Sequence, residues 1–440
     1  MDSRTMLSQG LARSLFQMTW PMIFGVLALM SYHLVDAFWI ARLGVEPLAA
    51  LGFTVPVQQS FTGFQVGLGI AATAIISRTL GADDAAIAQR QGGVVVLLGS
   101  AAAGVLALLL WWLRGPLLTA LGAGPEIRPV VDSFWSIWLV SAWLGAVMYL
   151  GYSLHRAQGD TRFPGLMMLV ASVLNMGLDP LFIFTLELGL RGAAWATIVS
   201  FSLACLLTYP RLFRRCWIAF DLDWTPVLAT LRQLSSIGAP AMVSQLLPPV
   251  SAMLATGLVA GFGAAAVAAW GLGTRLEFFS LVVVLALTMS MPPMVGRLVG
   301  SGELAAARRL IRLAALFVLG WQLIVSLLWI ALSDWVLPLV SADASVAAVL
   351  QAYLYRVPLS YPALGICMLM VSVNNALGMP LRALLISGLR LFAFYLPCLW
   401  LGAWLGGLPG LLTGALSGNL LAGVTAWVLY RQGMARLESG

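Results

Sequence analysis

Apolar runs long enough to cross a bilayer recur along the chain, each closed by a short polar break. A spanning helix needs about 20 apolar residues. Such runs fall at 14–39, 48–77, 91–113, 131–154, 164–186, 192–213, 236–261, 266–295, 310–332, 348–374, 381–404 and 408–430. The pattern predicts an all-α integral membrane protein of twelve transmembrane helices. The first run is too long for a signal-peptide core, which is about 7–15 residues, and reads as a retained span. Composition agrees: 61% of residues are hydrophobic and 9% charged, whereas a soluble domain is about 25% charged.

Charge then orients the chain. All 24 basic residues are arginines. Loops on the side of the N-terminus hold seventeen of them, and the opposite loops hold four: Arg42, Arg114, Arg128 and Arg191. Arginine-rich loops stay in the cytoplasm, so both termini are expected there, in a bacterial inner membrane. No basic run exceeds two residues, so the pI of 9.6 does not indicate nucleic-acid binding. The 17 tryptophans fall often at span ends, as interfacial anchors do. Cys205, Cys216, Cys367 and Cys398 form no CxxC pattern, and two histidines are too few for a His-rich metal site. There is no Walker motif and no nucleophile–base pattern, so no enzyme activity, cofactor or ATP hydrolysis is expected.

The chain also repeats. At a shift of 219 residues, Pro21 falls on Pro240, Gly44 on Gly263, Arg78 on Arg297, Gly81 on Gly300, Arg90 on Arg309 and Gly159 on Gly378. Six spans per half give two halves of the same orientation. The expected organisation is an N-terminal lobe (1–216), a cytoplasmic linker (217–235) and a C-terminal lobe (236–440). Parallel repeats that rock about a midplane cavity are typical of secondary transporters.

Six charges lie inside predicted spans: Asp36, Asp179, Glu277, Arg275, Arg356 and Arg390. A carboxylate at a helix centre costs about 2.5–3.5 kcal/mol on insertion scales and is normally functional or paired. Asp179 shares a helix face with Asn175 and Ser172, and Pro180 behind it frees a backbone carbonyl. Its alternative reading is a buried polar patch that joins helices. Asp36 lies in apolar surroundings fifteen residues after Pro21, its alternative being an interfacial acid. In the repeat, Asp36 maps to Ala255, and Asp179 to Pro397 or Cys398. The scaffold is duplicated and the acids are not, which points to an ion site in the first half. Glu277 either lines the cavity or is neutralised by an arginine from another span.

The segments "TWPMIFGVLALMSYHLVDAFWIARLG" (19–44), "ISRTLGADDAAIAQR" (76–90), "RAQGDTRFPGLMMLVASVLNMGLDPLFIF" (156–184), "GLRGAAWATIVS" (189–200) and "GLGTRLEFF" (271–279) resemble those of the multidrug and toxic compound extrusion (MATE) transporters, DinF-like branch. The resemblance implies two pseudo-symmetric six-helix lobes around a central cavity. It also implies export of lipophilic, mostly cationic compounds in exchange for H⁺, with Na⁺ as the other candidate ion. It assigns the coupling site to Asp36, Asn175, Asp179 and Thr197, whose oxygens could also hold Na⁺, and the bend of helix one to Pro21. The NorM-like branch has acids in helices seven and ten; here those helices have none.

Two carboxylates buried close together cannot both stay charged without a counter-ion, so the pair can load a proton outside and release it inside. Cavity walls are expected from Phe61, Phe64, Met148, Tyr149, Met253, Glu277, Phe278 and Tyr361, since adaptable apolar and aromatic surfaces suit lipophilic cations. The chain is expected to act as a monomer within the lipid bilayer. The competing reading is a flippase for lipid-linked oligosaccharides, whose cavity would need unpaired arginines. A major-facilitator transporter fits less well, because the loop at 77–90 lacks that family's basic Asp-Arg pattern.

Overall fold

The computed structural model describes residues 3–120, 128–220, 224–340 and 343–439, and among these every regular element is helical. Eleven helices are long and apolar enough to span a bilayer. One of them, Pro380–Glu438, has 59 residues, well over twice the length that one crossing needs at about 1.5 Å per residue. It breaks at Gly406 (φ −141°, ψ 20°) and Gly407 (φ 61°, ψ −144°), where Gly407 takes a left-handed conformation open to glycine. Two spans result, and the total is the twelve expected.

The first six spans are α1 (Leu11–Ala41), α2 (Val45–Gly81), α3 (Ala85–Trp112), α4 (Arg128–Ala157), α5 (Arg162–Pro180, continued by a wider π-turn over Leu181–Thr185) and α6 (Leu190–Arg214). The second six are α7 (Trp224–Ala260), α8 (Ala264–Ser280 and Val282–Gly300, meeting at Leu281), α9 (Leu304–Val340), α10 (Ala344–Arg356 and Tyr361–Ala376, joined by a 3₁₀ turn over Val357–Ser360), α11 (380–405) and α12 (408–439). Asp84 and Asp343 cap α3 and α10 by accepting from backbone N–H groups of the first turn, as such residues do. Of the linker expected at 217–235, residues 221–223 lie outside the described residues, and Trp224 onward is already α7.

The repeat seen in the sequence recurs in the backbone. Among the described residues, eight of the eleven with positive φ fall in repeat-related pairs: Gly44 with Gly263, Asp83 with Gly302, Gly159 with Gly378, and Gly189 with Gly407. The two sets of six spans pack as two lobes, and the main contacts between them are α2 with α7, α2 with α8 and α1 with α8. The closest approach is reciprocal. A Cβ on Gly81 would strike the backbone carbonyl of Arg297, and one on Gly300 would strike that of Arg78. The Arg297 guanidinium donates to the Ala157 carbonyl (3.1 Å), and the hydroxyls of Thr19 and Ser290 bond across the seam at 2.8 Å. Among the described residues, the side-chain hydrogen bonds that cross between the lobes lie at the arginine-rich end. The lobes are tied together at that end.

Candidate functional site

The site begins where α1 crosses α5. Gly25 and Gly165 face each other, and a Cβ on Gly165 would lie 2.5 Å from the Pro21 carbonyl oxygen. Only glycine permits so close a crossing. Pro21 itself has no N–H to give to the carbonyl of Gln17, which leaves α1 a place to bend. At the end of the regular part of α5, Pro180 removes a second backbone bond, and the helix widens into the π-turn at Leu181–Thr185. Such bulges are frequent at functional sites. Gly192 of α6 packs on this turn: a Cβ there would meet the Phe182 backbone at 2.6 Å. Glycines thus fix α1 and α6 against α5, one on each side.

This arrangement brings Asp36, Asn175, Asp179 and Thr197 together. Asn175 and Asp179 are fully buried, and Asp36 is half-buried with Oδ1 enclosed and unpartnered. The Asn175 amide satisfies every neighbour with its nitrogen turned toward Asp179. It then donates to both carboxylate oxygens (3.0 and 3.3 Å), while its oxygen accepts from the backbone N–H of Thr197 at 3.1 Å. That orientation is assigned from the bonding network. The Thr197 hydroxyl donates to the Ala193 carbonyl (3.0 Å) and lies 3.5 Å from the Tyr32 hydroxyl. Asp36 and Asp179 are close enough for their charges to interact, and both act on Tyr32. Among the described residues neither carboxylate has an arginine at ion-pair distance. The cluster is therefore rich in acceptors and short of positive charge, which is the condition for taking up a proton or a hard cation.

Tyr32 was not expected from the sequence. It lies one turn before Asp36 on the same face of α1, a spacing that could have disclosed it. The expected cavity residues divide. Phe61 is fully buried between α2, α3 and α4, and Phe64 is half-buried beside it. Met148 packs in the core with Tyr152 and Met168, and Tyr149 lies under the Arg156 guanidinium at 4.9 Å. Tyr361 is fully buried in the second lobe. Met253 and Phe278 are exposed. Met253 lines an apolar recess of about 620 Å³ with Leu254, Leu258, Phe392, Leu396 and Trp400. Glu277 accepts from the Tyr353 hydroxyl (3.2 Å) and feels the charge of Arg390. Arg356 donates to the Ala352 carbonyl, whereas the buried Nε of Arg390 has no partner and Arg275 is exposed.

Two parallel six-helix lobes, one of them holding buried carboxylates with no arginine at ion-pair distance among the described residues, are the architecture of a secondary transporter. Comparison gives the family. The MatE family model matches twice, at residues 21–181 and 240–401, and the chain belongs to that family of multidrug efflux transporters. Its starting points are 240 − 21 = 219 residues apart, the shift of the internal repeat. Crystal structures of the Vibrio cholerae MATE transporter VcmN share 51% identity. One, in a form described as bent, has a TM-score of 0.94 over 97% of this chain and 98% of that one. The FAD transporter of Shewanella oneidensis is 32% identical over 97% of this chain and 96% of its own length. The probable multidrug resistance protein YpnP of Bacillus subtilis is 24% identical over 94% and 93%.

Proposed function

We propose that the protein exports lipophilic, mostly cationic compounds in exchange for protons by alternating access, with Asp36, Asn175, Asp179 and Thr197 as the coupling site. The observation that carries this reading is the pair of interacting carboxylates with no arginine beside them. Proton loading removes a charge from the pair and changes the hydrogen bonds open to Asn175 and Tyr32. Both carboxylates lie on the helices whose crossing carries Pro21. A change in their bonding therefore has a route to the bend of α1, and a relative solved in a bent form makes that bend a reasonable moving part. Na⁺ is the competing ion, since Asp36, Asn175, Asp179 and Thr197 offer only oxygen ligands once Asn175 turns its amide.

The cargo has a second reading. The exposed Arg275 and the free Nε of Arg390 suit an anion, and one extensive relative is an FAD transporter. A pyrophosphate-bearing dinucleotide would use those arginines and the aromatic walls together. The comparisons favour such a small-molecule cargo over a lipid-linked oligosaccharide.

Inverted vesicles test both points. Ethidium uptake is measured under a pH gradient alone and a Na⁺ gradient alone, for wild type and Asp179→Asn, with FAD uptake in parallel. Proton coupling requires ethidium uptake under the pH gradient that Asp179→Asn removes. Uptake driven only by Na⁺ replaces the ion, and FAD uptake without ethidium uptake replaces the cargo. Equal uptake by Asp179→Asn removes the site.

A further inference from the structure

The arginine-rich end of the first lobe holds a recess that the transport reading does not use. It measures about 610 Å³ and lies between the first turns of α1, the α4–α5 turn and the end of α6. Arg162, Arg211 and Arg215 line it against a single carboxylate, Asp160. Asp160 accepts from Arg211 at 3.3 Å and lies 3.8 Å from Arg215. One acid thus divides its charge between two cations, and a third, Arg162, makes no ion pair or hydrogen bond among the described residues. The recess has a net positive charge.

The guanidinium groups are also held in place before any ligand arrives. Arg211 lies over the Phe163 ring at 4.6 Å and Arg215 over the Trp217 ring at 4.9 Å. His155 supports both rings, stacked on Phe163 and edge-on to Trp217. The buried Nε of Arg211 has no acceptor. Planar forks fixed on aromatic faces, with donors to spare, are suited to the oxygens of a phosphate group.

We infer that this recess binds a phosphate group, and the surroundings favour one carried on an anionic lipid headgroup over free phosphate. The recess sits where arginine-rich loops meet the bilayer surface, the level at which basic pockets between helices meet lipid headgroups. One of its walls is apolar: Leu166 lines it and is 53% exposed. Phe16 and Trp20, also exposed, flank its α1 wall at Gln17 and Met18. Free phosphate would use the arginines and leave that apolar surface idle, whereas an acyl chain covers it. Gln17 and Met18 lie within one turn of Pro21, so an occupied recess bears on the base of the helix that is expected to bend.

The test uses the purified full chain in an uncharged detergent. Dioctanoyl phosphatidylglycerol, dioctanoyl phosphatidylcholine, sn-glycerol 3-phosphate and inorganic phosphate are titrated, and binding is read by thermophoresis and by the thermal midpoint. Phosphatidylglycerol is expected to bind saturably and more tightly than phosphatidylcholine. Arg162→Gln should weaken it roughly 5–10-fold, the effect of one basic residue at a headgroup. Arg162 has no partner among the described residues, so this variant should keep the wild-type midpoint without lipid. The double variant Arg162→Gln/Arg215→Gln should lose saturable binding, and Arg431→Gln, at the same end of the other lobe, should bind as wild type does. Equal binding of glycerol 3-phosphate and phosphatidylglycerol, with the same losses, supports the site and assigns it to free phosphate. Unchanged phosphatidylglycerol binding in the double variant, or an equal loss in Arg431→Gln, overturns the proposal.

Discussion

Three glycine-to-alanine changes on α1 and α5 test whether the crossing of these helices holds the proposed coupling site together. A methyl group on Gly165 would lie 2.5 Å from the Pro21 carbonyl oxygen and 2.9 Å from its carbon. Both are backbone atoms, so no side chain can swing away. Relaxing that contact to about 3.3 Å, an ordinary C···O approach, requires the helices to separate by about 0.8 Å. Overpacking of this kind costs about 1–3 kcal/mol. If the cost falls on the state that transport must visit, efflux drops roughly tenfold or more. A methyl on Gly25 would meet the Gly165 carbonyl at 3.1 Å, so Gly25→Ala should be milder. Gly177 has nothing within 4 Å, and in a helix Ala is favoured over Gly by about 1 kcal/mol. Gly177→Ala should therefore match or exceed wild type in thermal midpoint and transport normally. The assay is dye uptake into inverted vesicles at matched protein levels, together with the thermal midpoint in detergent. None of the three changes touches a titratable group, so a graded loss in the order Gly165, Gly25, Gly177 isolates the crossing. Equal behaviour of Gly165→Ala and Gly177→Ala would refute the idea that this crossing positions Asp36 against Asp179.

Asp36→Asn should fold and reach the membrane at wild-type levels yet reduce pH-driven uptake to the background of empty vesicles. Thr197→Val removes the hydroxyl that donates to Ala193 and lies beside Tyr32 and should cost about 1 kcal/mol, the typical net worth of a hydrogen bond; Thr197→Ser should restore both midpoint and uptake. Outside the spans, the Asp343 carboxyl is held below the usual carboxylate range by hydrogen bonds from the Ser345 hydroxyl and N–H and the Val346 N–H. Its folded value is depressed, so its contribution is complete above the ordinary carboxylate range and fades as pH falls through the folded value. Protection factors for amide exchange in the first turn of α10, referenced to the intrinsic rate at each pH, should fall in acid for wild type and be low at every pH for Asp343→Ala.

The helical scaffold was legible because each span carries its own signal, a run of apolar residues between polar breaks, and the repeat cross-checked the count. The start of α7 was not legible. Leu234 and Ile237 pack against Leu68, Ala71 and Ile75 of α2, but Arg232, Gln233, Ser235 and Ser236 lie between or beside them, so the segment is amphipathic and fails a hydropathy test. The breaks at Leu281 and at 357–360 were hidden for a related reason: they interrupt helices without interrupting apolar composition. In the coupling site, the acids were conspicuous because charge is rare in spans. Tyr32 was not, because a tyrosine in an apolar run is ordinary and becomes informative only when α1, α5 and α6 place its hydroxyl beside Thr197. Which aromatic residues are exposed likewise depended on packing, and Phe61 and Tyr361 are fully buried.

The two lobes answer the same geometry with different chemistry. Near Pro180 in α5 and near Pro397 in α11 the helix departs from regular α-form, through π-turns at Leu181–Thr185 and Leu389–Tyr395. In the first lobe the surroundings are Asp36, Asn175, Asp179 and Thr197. At the repeat-related place in the second lobe, Met253, Leu254, Leu396 and Pro397 line a recess of about 620 Å³ with no charged residue. A carboxylate on both sides would give two competing ion sites, each costly to desolvate. Under the proposed function, an acid pair on one side and an apolar recess on the other would let one lobe respond to the coupling ion while its counterpart offers a surface to lipophilic cargo. Duplication supplies two similar frames, and on that proposal the unequal side chains would let ion and substrate bias one two-state movement from different lobes.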